Sequence, residues 1–212
     1  MRLFLVRHGE TSWNLNEIFR GRIDVRLNDH GVEQARRTAE VLSALSLAAV
    51  YSSPLSRALE TARYIAAPHG LPVLAEDGLT DLDYGKWQGL THEEVKEQYV
   101  DLYHLWNTAP HKVRFEQGES LDDVRGRALG ALDRIAARHN GQNVVVVSHR
   151  VVVKVVLCTL LGLDNSHFWH IRQDPCAINV LEYSDRYGFV ICRLNDTCHI
   201  KPFYEGMEMV DF

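Results

Sequence analysis

The first apolar run, Arg2 to Val6, carries hydrophobic residues at successive positions without alternation, the pattern of a strand covered on both faces. Leu47 to Tyr51 repeats it, a brief segment around Pro72 to Leu74 follows, and four consecutive valines, Val144 to Val147, give its strongest form. Between the strands the period changes. Val32, Ala35, Ala39 and Leu42 recur at three and four, which predicts a helix from Gly31 to about Leu45 with one buried face. Ser53 and Pro54 supply an N-cap and a proline at the first helical position for a second helix, ending near His69 and Gly70. Helical patterns resume from Thr91 to about Trp106, with an interruption near Val100. Ser120 and Asp123 form a capping box for a helix that lines up Leu121, Val124, Ala128, Leu132 and Ile135. Arg150 to Leu161 is a further helix, terminated by Gly162. Ala177 to Tyr183 and Gly188 to Leu194 then pair about a turn at Ser184 to Tyr187. The order predicts an α/β fold: a three-layer α/β/α sandwich with a mostly parallel central sheet and a C-terminal hairpin, in one domain over residues 1–212. Two long stretches, Glu10 to Asn28 and Gly78 to Gly89, show no period, and loops of that length in a compact domain are usually functional.

Composition narrows the classes. With 23 Lys and Arg against 28 Asp and Glu, the net charge of −5 offers a polyanion such as nucleic acid no attraction. No run of about 18 apolar residues exists, and the first residues lack the order of a signal peptide, so no membrane association and a cytoplasmic location are expected. Cys158, Cys176, Cys192 and Cys198 are scattered without C-x-x-C spacing, which fits reduced thiols and gives no zinc site.

The candidate chemistry lies where strands end. Arg7-His8, Arg57 and His149-Arg150 each place a cation just after a predicted buried strand, at the edge where open α/β sheets bind ligands. If the second helix caps at Ser53, Arg57 falls in or just after its first turn, where the macrodipole disfavours positive charge by a few tenths to about 1 kcal/mol. A dianion held between these groups would compensate, and the inferred ligand is a phosphate group. Taken singly, each has a plainer reading: Arg7-His8-Gly9 as a solvated turn, Arg57 as a surface arginine beside Glu60, His149 as a satisfied histidine at a strand end.

Together, LVRHGETSWN (residues 5–14), SSPLSRALETA (52–62) and VVVVSH (144–149) resemble the motifs of the histidine phosphatase superfamily, which includes cofactor-dependent phosphoglycerate mutases and many phosphomonoesterases. The resemblance implies that His8 is the nucleophile that becomes phosphohistidine, with Arg7, Arg57 and His149 holding the phosphoryl group and Asn14 as a further polar contact. A neutral His8 would attack in line while two arginines and a protonated His149 neutralise the equatorial oxygens, so no metal and no cofactor are needed. The pattern GKWQG (85–89) places Asp81 at the position of the general acid, where most relatives carry glutamate; Asp83 is the fallback.

Two kinds of enzyme share these motifs. The mutases look longer between the Trp87 region and the helix at Ser120, so the short stretch Thr91 to Glu119 favours hydrolysis of a small phosphorylated metabolite over mutase activity. A phosphometabolite-binding protein without turnover is a further alternative. The stretches APHKVRFEQGES (109–120) and LNDTCH (194–199) are similar to the metal-independent phosphoserine phosphatases, and His199 matches a histidine that recognises the substrate amino acid there. Arg20 stands where a glutamine is usual and Tyr84 where those enzymes have a histidine; with Gly21 and His199 they are the candidate substrate contacts. His167 and His170 have no evident third metal ligand. Phe168, Trp169 and Ile171 make their segment a candidate homodimer contact, which light scattering at micromolar concentration would test.

Overall fold

A computed structural model gives the fold and describes residues 1–16 and 18–200. The expected span of 1–212 also includes Glu17 and residues 201–212, which lie outside the described ones. Six strands form one sheet: β1 (Arg2–Arg7), β2 (Leu47–Ser52), β3 (Val73–Ala75), β4 (Asn143–Ser148), β5 (Ile178–Ser184) and β6 (Gly188–Asp196). They lie in the order β3-β2-β4-β1-β5-β6. Neighbours from β3 through β1 pair in parallel, and β5 alone runs against the rest, pairing antiparallel with β1 and β6.

The unalternating strands β1 and β4 are buried on both faces, as their sequence predicts, whereas β3 at the sheet edge is largely exposed. Leu3 and Leu5 of β1 join Val144 and Val146 of β4 beneath α6 (Leu121–Arg138) and α7 (Arg150–Leu160). Phe4 and Val6 join Val145 and Val147 on the opposite face, beneath α2 (Asp29–Leu42) and α3 (Ser56–Ala66). The smaller helices α4 (His92–Gln98) and α5 (Val100–Thr108) meet at the predicted break, and the Ser120 capping box forms, with Ser120 Oγ accepting from Asp123 N at 3.2 Å.

Four expectations are corrected. The Glu10 to Asn28 loop contains a short helix, α1 (Ser12–Leu15). Helix α2 begins before Gly31, because Asn28 Oδ1 caps it by accepting from Gly31 N at 2.7 Å. Ser53 does not cap α3. Its N–H donates to Val147 O at 3.0 Å and extends the β2–β4 pairing, and Pro54 holds it extended, so the helix starts at Ser56 with Leu55 as N-cap. Finally, Phe168 is fully buried: it packs edge-on to Trp169 and beneath Lys154 Nζ, 4.2 Å from its ring. Phe168 is therefore unavailable to the dimer contact suggested for its segment, while Trp169 and Ile171 stay partly exposed.

His167 and His170 sit on a 3₁₀ turn, with Asp164 Oδ1 3.3 Å from His167 Nδ1, so an acid does stand near. Even so, no three His, Cys, Asp or Glu side chains among the described residues gather as a metal site. Among the same residues no helix is long and apolar enough to cross a membrane, and all four cysteines are free thiols.

Two glycines set the distance between sheet and helix. A Cβ on Gly31 would stand 2.1 Å from Glu10 O, and one on Gly9 would stand 2.5 Å from Gly31 O. The start of α2 thus lies directly on the turn that follows β1. Gly31→Ala should lower stability by about 1–3 kcal/mol through overpacking, read by urea unfolding. A loss within about 0.5 kcal/mol, the range of ordinary surface changes, would show that this contact is soft.

Candidate active site

Arg7 at the end of β1 is in register with Ser148 at the end of β4, so the next residues, His8 and His149, leave the sheet side by side. Their ring centroids are 5.1 Å apart. From β1 the chain passes to the face carrying α2, and from β4 to the face carrying α7. The two histidines therefore occupy a switch point, where α/β sheets open a ligand crevice. Both rings are buried. His8 Nδ1 lies 2.6 Å from Gly9 O, and a carbonyl only accepts, so Nδ1 carries the proton and Nε2 keeps its lone pair. His8 N donates to Ser148 O at 2.9 Å and Gly9 N to Thr61 Oγ1 at 3.1 Å, which fixes the turn.

Arg57 is the second residue of α3, inside the first turn as the sequence predicts. Its compensation comes from within the protein rather than from a ligand alone: Nη2 donates to Gly21 O at 2.7 Å and to Asp81 Oδ2 at 3.0 Å, and Nη1 to Ile23 O at 3.0 Å. Gly21 has φ +51°, and a Cβ there would meet Gln88 Oε1 at 2.4 Å and Leu82 O at 2.9 Å, so only glycine brings this carbonyl to Arg57. Arg7, also fully buried, donates to Gln173 O. Asn14 spends its oxygen on Thr11 N at 2.9 Å. Three buried nitrogens, Asn14 Nδ2, Arg57 Nε and His149 Nδ1, have no hydrogen-bond partner among the described residues. Buried polar groups are rarely left so, and an oxyanion is the chemistry that would satisfy them.

Asp81 joins this cluster and Asp83 does not. Asp81 Oδ2 lies 3.0 Å from Arg57 and 3.6 Å from His149 Nδ1, while Oδ1 accepts from Leu82 N at 2.9 Å. Asp83 instead accepts from Gly85 N at 2.9 Å and faces Arg22 at 3.6 Å. Of the predicted substrate contacts, Arg20 donates to Thr11 Oγ1 at 3.0 Å and lies close enough to act on both histidines. Tyr84 is a buried wall, edge-on to Phe115 at 5.1 Å and Phe19 at 5.2 Å, with its hydroxyl bonded to Arg150. His199 Nε2 is 3.0 Å from Thr38 Oγ1 on α2, and its ring also bonds the backbone of Cys176, whose N–H donates to Arg7 O at 3.1 Å.

Residues 3–197 match the histidine phosphatase superfamily (branch 1). The chain belongs to this family. It is 42% identical over 204 residues to Phosphoserine phosphatase 1 of Hydrogenobacter thermophilus, covering 96% of each chain. To the adenosylcobalamin/alpha-ribazole phosphatase of Escherichia coli it is 29% identical over 89% of this chain and 93% of that one. The structure of Bacillus stearothermophilus YhfR superposes with a TM-score of 0.91 at 32% identity, over 94% of this chain and 99% of that one. This histidine phosphatase is a phosphoric monoester hydrolase.

Electrostatics sets the state of both histidines in the protein alone. Burial, reinforced by Arg57, Arg20, Arg127 and Arg7, holds His149 well below the ordinary histidine range, so in the protein alone it is neutral rather than protonated. His8 is held down in the same way, first by burial and then by Arg57, His149, Arg7 and Arg20. Burial pushes the Tyr84 hydroxyl up to about 12, so it remains a neutral donor.

Sequence reasoning missed several supports of this histidine phosphatase. Arg127 of α6 donates to the carbonyls of Gly78, Thr80 and Asp81 and pairs with Glu119 at 2.8 Å, which clamps the loop that delivers Asp81. Its place between Val124 and Ala128, at the edge of the apolar face, was the available signal. Thr61, whose hydroxyl bonds Gly9, carried none.

The two depressed histidines make stability depend on pH. Unfolded imidazoles protonate near pH 6.5, while the folded ones stay neutral to lower pH, so between those values the unfolded state binds more protons and stability rises with pH. Stability should fall as pH drops below about 6.5, by roughly 1 kcal/mol per pH unit for each imidazole. Denaturant unfolding between pH 8 and 5 checks this. A slope in His8→Asn/His149→Asn no shallower than in the wild type would contradict it.

Proposed function

We propose that this phosphatase hydrolyses a small phosphorylated metabolite through a phosphohistidine on His8, with Asp81 as general acid and base and no metal, and that phosphoserine is its leading substrate. The observation that carries the reading is the tautomer of His8: a neutral ring whose Nδ1–H is bound to Gly9 O, leaving Nε2 as the nucleophile beside Arg7 and Arg57. In the first step Nε2 forms a bond to phosphorus as the P–O bond to the alcohol breaks, and Asp81, a carboxylate in the free protein that takes up the proton of a monoanionic substrate, gives that proton to the departing oxygen. The positive charge gained by the imidazole is met by Gly9 O. In the second step the Asp81 carboxylate takes a proton from water as the water oxygen attacks phosphorus and the P–N bond breaks, returning a neutral His8. Arg7, Arg57, Asn14 and His149 would donate to the equatorial oxygens throughout.

Phosphoserine is favoured by the 42% identity to the Hydrogenobacter phosphatase, which covers 96% of both chains. Arg20, with buried Tyr84 as a wall behind it, would contact the part of the substrate beyond the phosphoryl group, and Gly21 shapes the same edge. His199, held by Thr38 and the Cys176 backbone, would approach the substrate from the side of the Arg7–His8 turn. Hydrolysis rather than mutase activity is favoured by the short segment between Trp87 and Ser120, which holds only α4, α5 and one 3₁₀ turn.

The test is hydrolysis in the presence of a chelator. Phosphoserine should be cleaved faster than sugar phosphates, nucleotides or α-ribazole phosphate, and His8→Ala should abolish all activity. Asp81→Asn should cost about 10²–10⁴-fold on phosphoserine, whose alkoxide needs a proton, and far less on p-nitrophenyl phosphate, whose leaving group does not. Activity that requires added magnesium, or an equal loss on both substrates in Asp81→Asn, would overturn the mechanism.

A further inference from the structure

We propose that Ser53 is a positioning residue that fixes the tautomer of His149, so that this ring turns an N–H toward Asp81 and the phosphoryl pocket. Ser53 is held rigidly at the end of β2: its N–H donates to Val147 O at 3.0 Å and its carbonyl accepts from Ser52 Oγ at 2.9 Å. From there its fully buried hydroxyl reaches His149 Nε2, 2.7 Å away. Leu55 N donates to the same oxygen at 3.3 Å, which occupies one of its lone pairs. A hydroxyl has one proton to give, and among the described residues Nε2 is the acceptor the structure offers it.

The ring has one proton when neutral. With Nε2 accepting from Ser53, that proton is on Nδ1, the atom that has no hydrogen-bond partner among the described residues and stands 3.6 Å from Asp81 Oδ2. The opposite tautomer would strand the Ser53 hydroxyl proton in a buried site and set the Nδ1 lone pair against a carboxylate. Both penalties point the same way. The consequence is a donor that needs no positive charge: His149 can offer Nδ1–H to a phosphoryl oxygen while remaining neutral. Gly9 O sets the proton of His8 on Nδ1 from one side of the pair, and Ser53 sets that of His149 from the other.

The kinetic part of this inference rests on the function proposed above, whereas the tautomer does not. Long-range ¹⁵N–¹H correlation spectra of protein labelled at histidine, with His149 assigned by its loss in His149→Gln, should show a protonated Nδ1 and an unprotonated Nε2. In Ser53→Ala the two nitrogens should move toward mixed protonation, and kcat for phosphoserine should fall by about 10–100-fold, the range for lost support behind a functional side chain. Ser53→Thr, which keeps the hydroxyl, should recover most of both. A wild-type spectrum with Nε2 protonated overturns the proposal, even if Ser53→Ala does not fold. So does a folded Ser53→Ala that keeps the wild-type spectrum and kcat. If His8→Ala retains full activity, the mechanism above fails while the spectra still decide the tautomer.

Discussion

Two guanidinium groups, Arg7 and Arg57, are buried to 0% exposure beside two buried imidazoles, and everything else near the sheet's carboxyl edge follows from keeping them there. Charge of one sign, confined away from water, is costly unless each group is hydrogen-bonded. Backbone carbonyls supply most of what is needed: Gly21 and Ile23 for Arg57, and Gln173 for Arg7. One carboxylate, Asp81, supplies a further acceptor for Arg57. This explains why the stretch from Gly21 to Leu27, beyond α1, is ordered against the sheet without regular structure. Its carbonyls must point inward, which a long helix or a strand would not allow.

The same field governs the histidines. Because they are buried, and cations surround them, both are held well below the ordinary histidine range, and a neutral imidazole is what nucleophilic attack on phosphorus needs. The arrangement is strained electrostatically in the protein alone, and a phosphoryl dianion is its natural complement. A stability cost concentrated where the chemistry is proposed to occur is a common feature of catalytic sites. Around it, the Arg127–Glu119 pair and the contact between Gly9 and Gly31 hold the acid loop and the nucleophile turn from opposite sides of the sheet.

The strands and the long helices were legible because burial on two faces or one leaves a period in the sequence. The valine run at Val144 and the stripe from Leu121 to Ile135 could hardly be read otherwise. Arg7, His8, Arg57 and His149 were legible because each follows such a strand, and register then brings them together. What escaped depends on distance rather than period. Ser53 reads as a helix cap, yet its backbone belongs to the sheet and its hydroxyl to a histidine 96 positions away. The tie of Arg127 to the acid loop spans 46 positions to Asp81 O, and no local pattern carries such a contact. Phe168, Trp169 and Ile171 read as an apolar contact for a partner because no period marks their segment, and only the packing against α7 shows Phe168 to be core.

The central claim is that a neutral, preoriented His8 accepts the phosphoryl group in this nest of cations. Alkaline quenching during turnover, followed by peptide mass spectrometry, tests it most directly. A phosphate should appear on the peptide containing His8, stable in base and lost in acid, and it should be absent from His8→Ala. Turnover at full rate with no phosphate on that peptide, or with the label on another residue, would contradict the account.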